Sequence, residues 1–253
     1  MILAGGYGSR LSEETMDRPK PMVEIGGRPI LWHIMKTFSL YGYNEFVLCL
    51  GYKGHMIKEY FSNYFLHLSD ITVDLSDNTI SYHRSNAEPW QVTMVDTGID
   101  TMTGGRIKRV ERFLDGERFM MTYGDGLINM DLNSLVNAHV DSGKRATVTA
   151  VQPRGRFGAL TIGQENTVDS FLEKPKGDGD WINGGFFVLE PEVLDYIDSD
   201  ASIWEQAPLE NLAAEGELNA YRHTGFWMPM DTLRDKRELD EMCRSGNAPW
   251  MIW

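Results

Sequence analysis

The fold of this chain is decided near its start, by the stretch Leu3-Ala4-Gly5-Gly6-Tyr7-Gly8-Ser9-Arg10-Leu11. A short apolar run leads into three glycines, and the glycines lead into an arginine. Glycine lacks a Cβ atom, so its backbone can adopt positive φ angles and approach a ligand closely. Backbone N–H groups that point into one concavity form an anion site. The stretch therefore predicts a strand followed by a phosphate-binding loop.

Two cations accompany this loop, Arg10 at its end and Lys20 in the segment Pro19-Lys20-Pro21-Met22. Arginine offers a planar fork to a polyphosphate, and lysine offers a point charge to one phosphoryl oxygen. A dinucleotide-binding loop would need a third glycine where Leu11 stands. A P-loop would need Gly-Lys-Ser or Gly-Lys-Thr, which the chain lacks. We therefore interpret the segment as a cradle for a nucleoside triphosphate.

The rest of the chain alternates between strand-like and helix-like segments. Residues 46–50 form a continuous apolar run, typical of a parallel strand that is buried on both faces, and residues 146–151 are predicted to form another buried strand. Apolar residues recur with helical periodicity from Ile30 to Phe38, after Pro29. Further helices are predicted at residues 55–65, 105–114, 132–142, 191–197, 203–214 and after Thr232, and a hairpin with its turn at residues 77–78. This alternation predicts an α/β fold, a mostly parallel sheet with helices on both faces, whose ligands bind beyond the carboxyl ends of the strands.

The motifs resemble those of the sugar-1-phosphate nucleotidyltransferases. Gly-Gly-x-Gly-Ser-Arg-Leu followed by Pro-Lys-Pro-Met is similar to the signature of that family. Other similar stretches span nearly the whole chain in one order, at residues 21–33, 51–59, 96–110, 123–126, 156–160, 173–176, 183–188 and 230–236. The likeness is greatest to the branch that uses CTP and glucose 1-phosphate, so it implies these substrates and a role in making activated sugars for surface polysaccharides.

The resemblance also implies a fold and a division of the chain. The fold is a Rossmann-like, mostly parallel mixed sheet, the nucleotidyltransferase (GT-A-like) fold, in a single domain over residues 1–253. The nucleotide-binding half would cover about residues 1–130 and the sugar-binding half about residues 131–235. A C-terminal helix and tail would follow at about residues 236–253.

Composition excludes several other classes of protein. The net charge of −13 argues against a nucleic-acid partner, which would need a basic surface. The longest apolar runs are far shorter than the roughly 20 residues of a membrane-spanning helix, and no secretory signal is visible. Cys49 and Cys243 lack metal-type spacing. We therefore expect a protein of the reducing cytoplasm with no membrane partner.

Two aspartates are candidate metal ligands. Asp125 stands between glycines in Tyr123-Gly124-Asp125-Gly126, where a carboxylate suits a hard cation; the alternative is an ordinary turn. Asp231 could instead contribute to the start of the helix that follows it. The sequence itself does not bring the two together. The resemblance does, because it implies that Asp125 and Asp231 bind one Mg²⁺.

The resemblance assigns the other site residues, with Arg10, Lys20 and Asp125 as the catalytic ones. It places the nucleotide on Leu3, Ala4, Gly5, Gly6, Gly8, Ser9, Arg10, Lys20, Thr101, Arg106 and Asp125. It places the sugar phosphate on Gly158, Glu173, Lys174, Asn183, Gly184 and Trp227. Without it, Glu173 and Lys174 would be interpreted as a solvated charge cluster, Arg106 as a solvated helix residue and Trp227 as core.

The predicted reaction is attack of the sugar phosphate on the α-phosphate of the nucleotide, with no covalent intermediate. Alternatives are the same chemistry with dTTP or UTP, and a non-catalytic regulatory subunit of the same fold. A third is a glycosyltransferase that uses a nucleotide sugar; that class needs a metal-binding Asp-x-Asp motif, which we expect to be absent. The apolar residues 248–253 are expected to pack either on a partner subunit or on the protein's own core. The resemblance implies a homo-oligomer, such as a hexamer.

Overall fold

The fold is built on a seven-stranded sheet. The structure is a computed structural model that describes residues 1–153, 159–162, 167–172 and 181–253. Its strands are β1 (Ile2–Ala4), β2 (Glu24–Ile25), β3 (Arg28–Pro29), β4 (Glu45–Leu50), β5 (Ser69–Asp74), β6 (Thr79–Ser85), β7 (Gln91–Asp96), β8 (Phe119–Tyr123), β9 (Gly126–Ile128), β10 (Ala146–Val151), β11 (Ala159–Ile162), β12 (Val168–Leu172), β13 (Ile182–Leu189), β14 (Leu218–His223) and β15 (Trp227–Pro229). Its α-helices are α1 (Ser12–Thr15), α2 (Ile30–Leu40), α3 (Gly54–Ser62), α4 (Tyr64–His67), α5 (Thr103–Arg109), α6 (Leu132–Ser142), α7 (Ala207–Ala214) and α8 (Leu233–Arg244).

The strand order in the large sheet is β14-β10-β13-β8-β1-β4-β7. Strand β13 runs antiparallel to both of its neighbours, and the other pairs are parallel. The sheet is therefore mixed and mostly parallel, which confirms the predicted fold class. In its centre, Leu3 of β1 pairs with Cys49 of β4 and with Tyr123 of β8. The loop after β1 consequently leaves the sheet between the ends of these two strands.

Both faces of the sheet are buried, since successive side chains point to opposite sides of a strand. In β1, Ile2 and Ala4 belong to one core cluster and Leu3 belongs to the other. Residues of α2, α3, α6 and α8 complete the first cluster, and residues of α5 and α7 complete the second. Helices therefore cover both faces, as the apolar runs of the strands predict.

Local signals in the sequence fix several helix ends. The Asp131 carboxylate accepts hydrogen bonds from two backbone N–H groups at the start of α6, and Gly143 ends that helix with a φ of 61°. Thr232 and Asp235 form a reciprocal capping box at the start of α8. Among the described residues, no helix combines the length and the apolar character needed to cross a membrane.

Other predicted helices have different limits in the structure. The helix expected at residues 55–65 is interrupted at Asn63, giving α3 and α4. The one at residues 105–114 begins at Thr103, ends at Arg109 and is followed by a 3₁₀ turn, Glu111–Phe113. The segment at 191–197 is the 3₁₀ helix Pro191–Tyr196. Helix α7 is shorter than predicted because Pro208 lies in its first turn, where a residue without an N–H group is tolerated.

Two tryptophans of the apolar residues 248–253 pack on the protein's own core. Trp250 is fully buried, stacks on Phe226 and donates a 3.3 Å hydrogen bond from Nε1 to Nδ1 of His33. Trp253 meets Trp32 edge to face. Of the two arrangements that the sequence leaves open, Trp250 and Trp253 show packing within the chain, whereas the side chains of Met251 and Ile252 are 42% and 45% exposed.

The hairpin of β5 and β6 exposes an apolar face. Its turn includes Asn78 with a φ of 52°, at the predicted position. Ile71 pairs with Tyr82 and Val73 pairs with Ile80 across the two strands. All four side chains are more than one third exposed. An isolated two-stranded sheet is marginally stable, so this face suits coverage by another surface.

Candidate active site

A cavity of about 530 Å³ opens at the carboxyl ends of β1 and β8, on the predicted edge of the sheet. The loop after β1 forms one wall, and residues 99–103 with Arg106 form another. Every residue that the resemblance assigns to the nucleotide lines this one cavity: Leu3, Ala4, Gly5, Gly6, Gly8, Ser9, Arg10, Lys20, Thr101, Arg106 and Asp125. The structure therefore gathers residues that are more than a hundred positions apart in the sequence.

Glycines let the backbone run close to this cavity. Gly8 has a φ of 65°, which other residues rarely adopt, and it precedes the 3₁₀ turn Ser9–Leu11. A Cβ atom on Gly5 would lie 2.2 Å from Nη1 of Arg106. A Cβ atom on Gly124 would lie 2.9 Å from the ring of Pro21. The glycine loop is thus a packed wall of the cavity, which a larger residue at Gly5 or Gly8 would disturb.

Lys20 lies between the two aspartates that are the candidate metal ligands. Its Nζ is 2.6 Å from Oδ2 of Asp125 and 2.8 Å from Oδ1 of Asp231. Burial alone would lower the pKa of Lys20, but the two carboxylates outweigh burial and raise that pKa above its usual value. Lys20 therefore remains a cation at neutral pH. The Asp231 carboxylate also accepts a 2.9 Å hydrogen bond from Nη1 of Arg10.

Strand pairing explains how the two aspartates meet. Asp125 lies between β8 and β9, and Asp231 follows β15. Strands β9 and β15 pair antiparallel, with Pro229 opposite Gly126. The N–H group of Met230 then donates a 2.8 Å hydrogen bond to the carbonyl oxygen of Asp125. Two short strands, neither of them predicted, thus bring the carboxylates onto one ammonium group.

The donor set at this point fits a hard divalent cation. Mg²⁺ typically takes one or two protein carboxylates and completes its shell with water and substrate phosphates. Asp125 and Asp231 supply two carboxylates that already converge on one positive charge. Within the described ranges, no group of three or more His, Cys, Asp or Glu side chains could enclose a metal ion. The arrangement therefore fits a cation shared with a phosphate ligand.

Arg106 supports the cavity wall from behind. Its side chain is buried, so the alternative interpretation of a solvated helix residue is wrong. Its Nη1 donates hydrogen bonds to Oγ1 of Thr97 at 2.8 Å and to the carbonyl oxygen of Gly98 at 2.7 Å. It also reaches the carbonyl oxygens of Leu50 and Ile99. The guanidinium group thus holds the loop that carries Thr101 against the glycine loop.

The described residues of the expected sugar side lie together, beside the cavity. Nε1 of Trp227 donates a 2.8 Å hydrogen bond to the carbonyl oxygen of Gly184. Oδ1 of Asn183 accepts a 2.8 Å hydrogen bond from the N–H group of Gly185. The ring of Tyr123 packs under Gly185, where a Cβ atom would lie 2.6 Å from it. The three further sugar-side candidates, Gly158, Glu173 and Lys174, fall outside the described residues.

Several residues that the sequence analysis missed also line the cavity. Tyr7 donates a 3.2 Å hydrogen bond from its hydroxyl group to Asp100, which joins the glycine loop to the opposite wall. Met102 and Thr103 complete that wall, and Tyr123 lines the cavity at the end of β8. The position of Tyr7 between two glycines could have indicated it. Nothing in the sequence distinguishes Asp100 from a surface residue.

The expectation that the chain has no Asp-x-Asp pattern is wrong. One such pattern lies at Asp198 and Asp200, away from the cavity lining, and another lies at Asp178 and Asp180, outside the described residues. The Asp200 carboxylate forms a 2.5 Å ion pair with Arg109. It therefore neutralises a neighbouring arginine and supplies no ligand to the cavity. The metal-binding motif that a glycosyltransferase would need is not found at this place.

The sequence was compared with known proteins. Residues 1–228 match the model of the nucleotidyl transferase family. The chain is 58% identical to glucose-1-phosphate cytidylyltransferase of Salmonella typhi over 254 aligned residues, covering 100% of this chain and 98% of that protein. It is 46% identical to the probable glucose-1-phosphate cytidylyltransferase of Bacillus subtilis, covering 100% of this chain and 99% of that protein.

A solved structure has the same fold. The crystal structure of HddC from Yersinia pseudotuberculosis superimposes with a TM-score of 0.69 at 24% sequence identity. The match covers 95% of this chain and 96% of that one. At this level of identity the likeness supports the fold alone.

Proposed function

Because this chain belongs to the nucleotidyl transferase family, we propose that it transfers the cytidylyl group of CTP to glucose 1-phosphate, giving CDP-glucose and pyrophosphate. The choice of substrates is supported by 58% identity over the whole chain to a glucose-1-phosphate cytidylyltransferase. The chemistry is supported by one observation above all. Lys20 and Asp125 line one cavity together with the glycine loop, and the Lys20 ammonium group also binds Asp231.

In the proposed reaction, an oxygen of the sugar phosphate attacks the α-phosphorus of CTP. The bond from the α-phosphorus to the bridging oxygen breaks in line with this attack, and pyrophosphate leaves. Phosphate oxygens are already ionised near neutral pH, so no general base is required. Catalysis then depends on positioning the two phosphates and stabilising the charge between them.

The two cations of the cavity would supply much of that stabilisation. Arg10 would bind the triphosphate together with the N–H groups of the glycine loop and neutralise the departing pyrophosphate. Lys20 would face the attacking and the α-phosphate oxygens, with its charge maintained by Asp125 and Asp231. Removing one such charge typically costs about 3 to 4 kcal/mol of transition-state stabilisation.

Nucleotidyltransferases of this family generally use a divalent metal ion. We propose that Asp125 and Asp231 hold Mg²⁺ here, since their carboxylates converge on one point. When bound, such an ion neutralises phosphate oxygens of the nucleotide.

We also propose that the sugar phosphate binds beside the cavity, in the second half of the chain. Asn183, Gly184 and Trp227 would contact the sugar. The resemblance adds Gly158, Glu173 and Lys174, with the carboxylate of Glu173 on sugar hydroxyl groups and the ammonium group of Lys174 on the phosphate. Residues of about 1–130 would then bind the nucleotide and residues of about 131–235 the sugar, within one domain.

The assembly and the compartment are further proposals. We propose a cytoplasmic homo-oligomer, such as a hexamer. The exposed apolar face of the β5–β6 hairpin supports an oligomer, because that face suits a partner surface. Light scattering should give a mass above 28.8 kDa, and Ile80→Asp should lower it. A monomeric wild type would contradict this proposal.

A substrate panel tests the proposed reaction. CTP, UTP, dTTP, ATP and GTP are each incubated with glucose 1-phosphate and Mg²⁺, and pyrophosphate release is measured. We expect CTP to be used best. Preference for UTP or dTTP would indicate the same chemistry with another base. Absence of turnover with all five nucleotides would indicate a non-catalytic protein and contradict the proposal.

A further inference from the structure

A carboxylate outside the cavity joins two parts of its wall. The hydroxyl group of Tyr123 donates a hydrogen bond to Oε1 of Glu205. The hydroxyl group of Thr103 donates a 2.6 Å hydrogen bond to Oε2 of the same carboxylate. Tyr123 and Thr103 both line the cavity, whereas Glu205 lies behind them. One side chain thus contacts two wall residues that are 20 positions apart in the sequence and lie on different elements.

Thr103 belongs to the nucleotide side of the cavity. It begins α5, the helix that carries Arg106, and it follows Thr101 closely. The segment before Glu205 also contacts this side of the cavity, because the N–H group of Met102 donates a 2.9 Å hydrogen bond to the carbonyl oxygen of Asp200. The N–H group of Trp204 donates a 2.9 Å hydrogen bond to Oγ1 of Thr103.

Tyr123 belongs to the other side. It ends β8 two residues before Asp125, and its ring packs under Gly185, next to the expected sugar contacts Asn183 and Gly184. A tyrosine hydroxyl group is ordinarily protonated near neutral pH, so Tyr123 can act as the donor in its hydrogen bond to Glu205.

We propose that Glu205 is a positioning residue that couples the nucleotide wall to the sugar side through Thr103 and Tyr123. A carboxylate is suited to this task, because its two acceptor oxygens are held at a fixed separation and can serve one donor each. The inference rests on the proposed function, which defines the two sides. Glu205 itself does not line the cavity.

The test measures KM for CTP, KM for glucose 1-phosphate and kcat separately. Losing a typical hydrogen bond costs about three- to tenfold in an equilibrium constant. Tyr123→Phe should raise KM for glucose 1-phosphate about three- to tenfold and leave KM for CTP within about twofold. Thr103→Val should raise KM for CTP by a similar factor and leave KM for glucose 1-phosphate within about twofold. Thr103→Ser, which retains the hydroxyl group, should have a KM for CTP close to that of the wild type.

Glu205→Ala should raise both KM values, because it releases both donors at once. Adding Glu205→Ala to the Tyr123→Phe/Thr103→Val double variant should change nothing further, since the interaction is already lost. Glu215→Ala is the matched control. Glu215 also accepts a hydrogen bond from a tyrosine, Tyr196, and neither of these two residues lines the cavity. This control should leave both KM values unchanged.

The outcomes separate the inference from the proposed function. A wild-type protein that turns over none of the nucleotides overturns both. An active wild type with a Glu205→Ala variant whose two KM values match those of Glu215→Ala overturns the inference alone, even if the melting temperature falls. If Glu205→Ala fails to fold by circular dichroism, Glu205→Gln and the double variant give the same comparison.

Discussion

Nζ of Lys20 lies 2.6 Å from Oδ2 of Asp125, although 105 positions separate the two residues in the chain. Asp231, a further 106 positions along, accepts a hydrogen bond from the same ammonium group. The pairing of β9 with β15 holds this arrangement in place. One cation between two carboxylates is therefore built into the fold, and both the charge balance and the chemistry of the cavity depend on it.

Lys20→Met should reduce kcat about a hundred- to a thousandfold, because the variant loses a fixed positive charge at the reacting phosphates. Steady-state rates of pyrophosphate release provide the measurement, and circular dichroism confirms that the variant is folded. Lys36→Met is a suitable control, since Lys36 forms a comparable partly buried ion pair with Glu88. Turnover of Lys20→Met equal to that of Lys36→Met would contradict the mechanism.

Arg10→Ala should separate activity from stability. The Arg10 side chain is 73% exposed, so its ion pair with Asp231 is screened by water and contributes about 0–1 kcal/mol to folding. The expected contribution of Arg10 to catalysis is much larger, because its charge would neutralise the departing pyrophosphate. We expect a melting temperature close to that of the wild type and a turnover that falls about a hundredfold or more. A variant that loses stability but keeps its rate would show that Arg10 acts in folding.

Gly5→Ala and Gly6→Ala should differ in stability although the residues are adjacent. A Cβ atom on Gly5 would lie 2.2 Å from Nη1 of Arg106, which several loop acceptors hold in place. Such overpacking costs about 1–3 kcal/mol. Gly6 has open space at the corresponding position, so Gly6→Ala should cost well below about 1 kcal/mol. Urea unfolding measures the free energy of unfolding of both variants. An equal loss of stability in the two would contradict the packing described for Gly5.

Stability should fall as the pH drops below about 6.5, partly because of His33. Burial lowers the pKa of His33, and its Nδ1 accepts a hydrogen bond from Trp250, so the folded protein favours the neutral ring. The unfolded chain gains a proton on this residue below its ordinary pKa and the folded chain does not. The contribution of His33 to the free energy of unfolding is therefore complete above pH 6.5. It is lost as the pH falls from 6.5 through the folded-state pKa of His33, and the free energy of unfolding then decreases by up to about 1.4 kcal/mol per pH unit.

Urea unfolding at pH 7.5, 6.5 and 5.5 measures this effect, with His33→Gln as the comparison. Burial lowers the pKa of His139 and His223 as well. The free energy of unfolding of His33→Gln should therefore still fall with decreasing pH, but less steeply than that of the wild type. Identical slopes in the two proteins would mean that His33 does not contribute to the pH dependence.

The nucleotide side of the site could be predicted from the sequence because its signals are local. A loop such as residues 5–10 carries its glycines and its cation within a few positions, and the strand before it fixes the edge of the sheet where it lies. The buried strands were predicted for the same reason, since a continuous apolar run needs no distant partner to be recognised.

The remaining features depend on contacts between distant residues. Asp125 and Asp231 meet through β9 and β15, which are only three residues long and therefore too short to show a periodic pattern. Glu205 is an exposed acid, and only its two donors distinguish it from the other acids. Arg106 looks like a solvated helix residue until the carbonyl groups of its neighbouring loop surround it.

The docking of residues 248–253 has an optical consequence. Four of the seven tryptophans, Trp32, Trp90, Trp250 and Trp253, lie close together around His33. Their fluorescence will mainly report whether the end of the chain is seated, and energy transfer among the indole rings will blur their individual signals. Trp227 donates a hydrogen bond to Gly184 beside the cavity, so we expect a ligand that binds there to change the fluorescence of this indole. A Trp227→Phe variant would therefore show how much of a titration signal comes from the site.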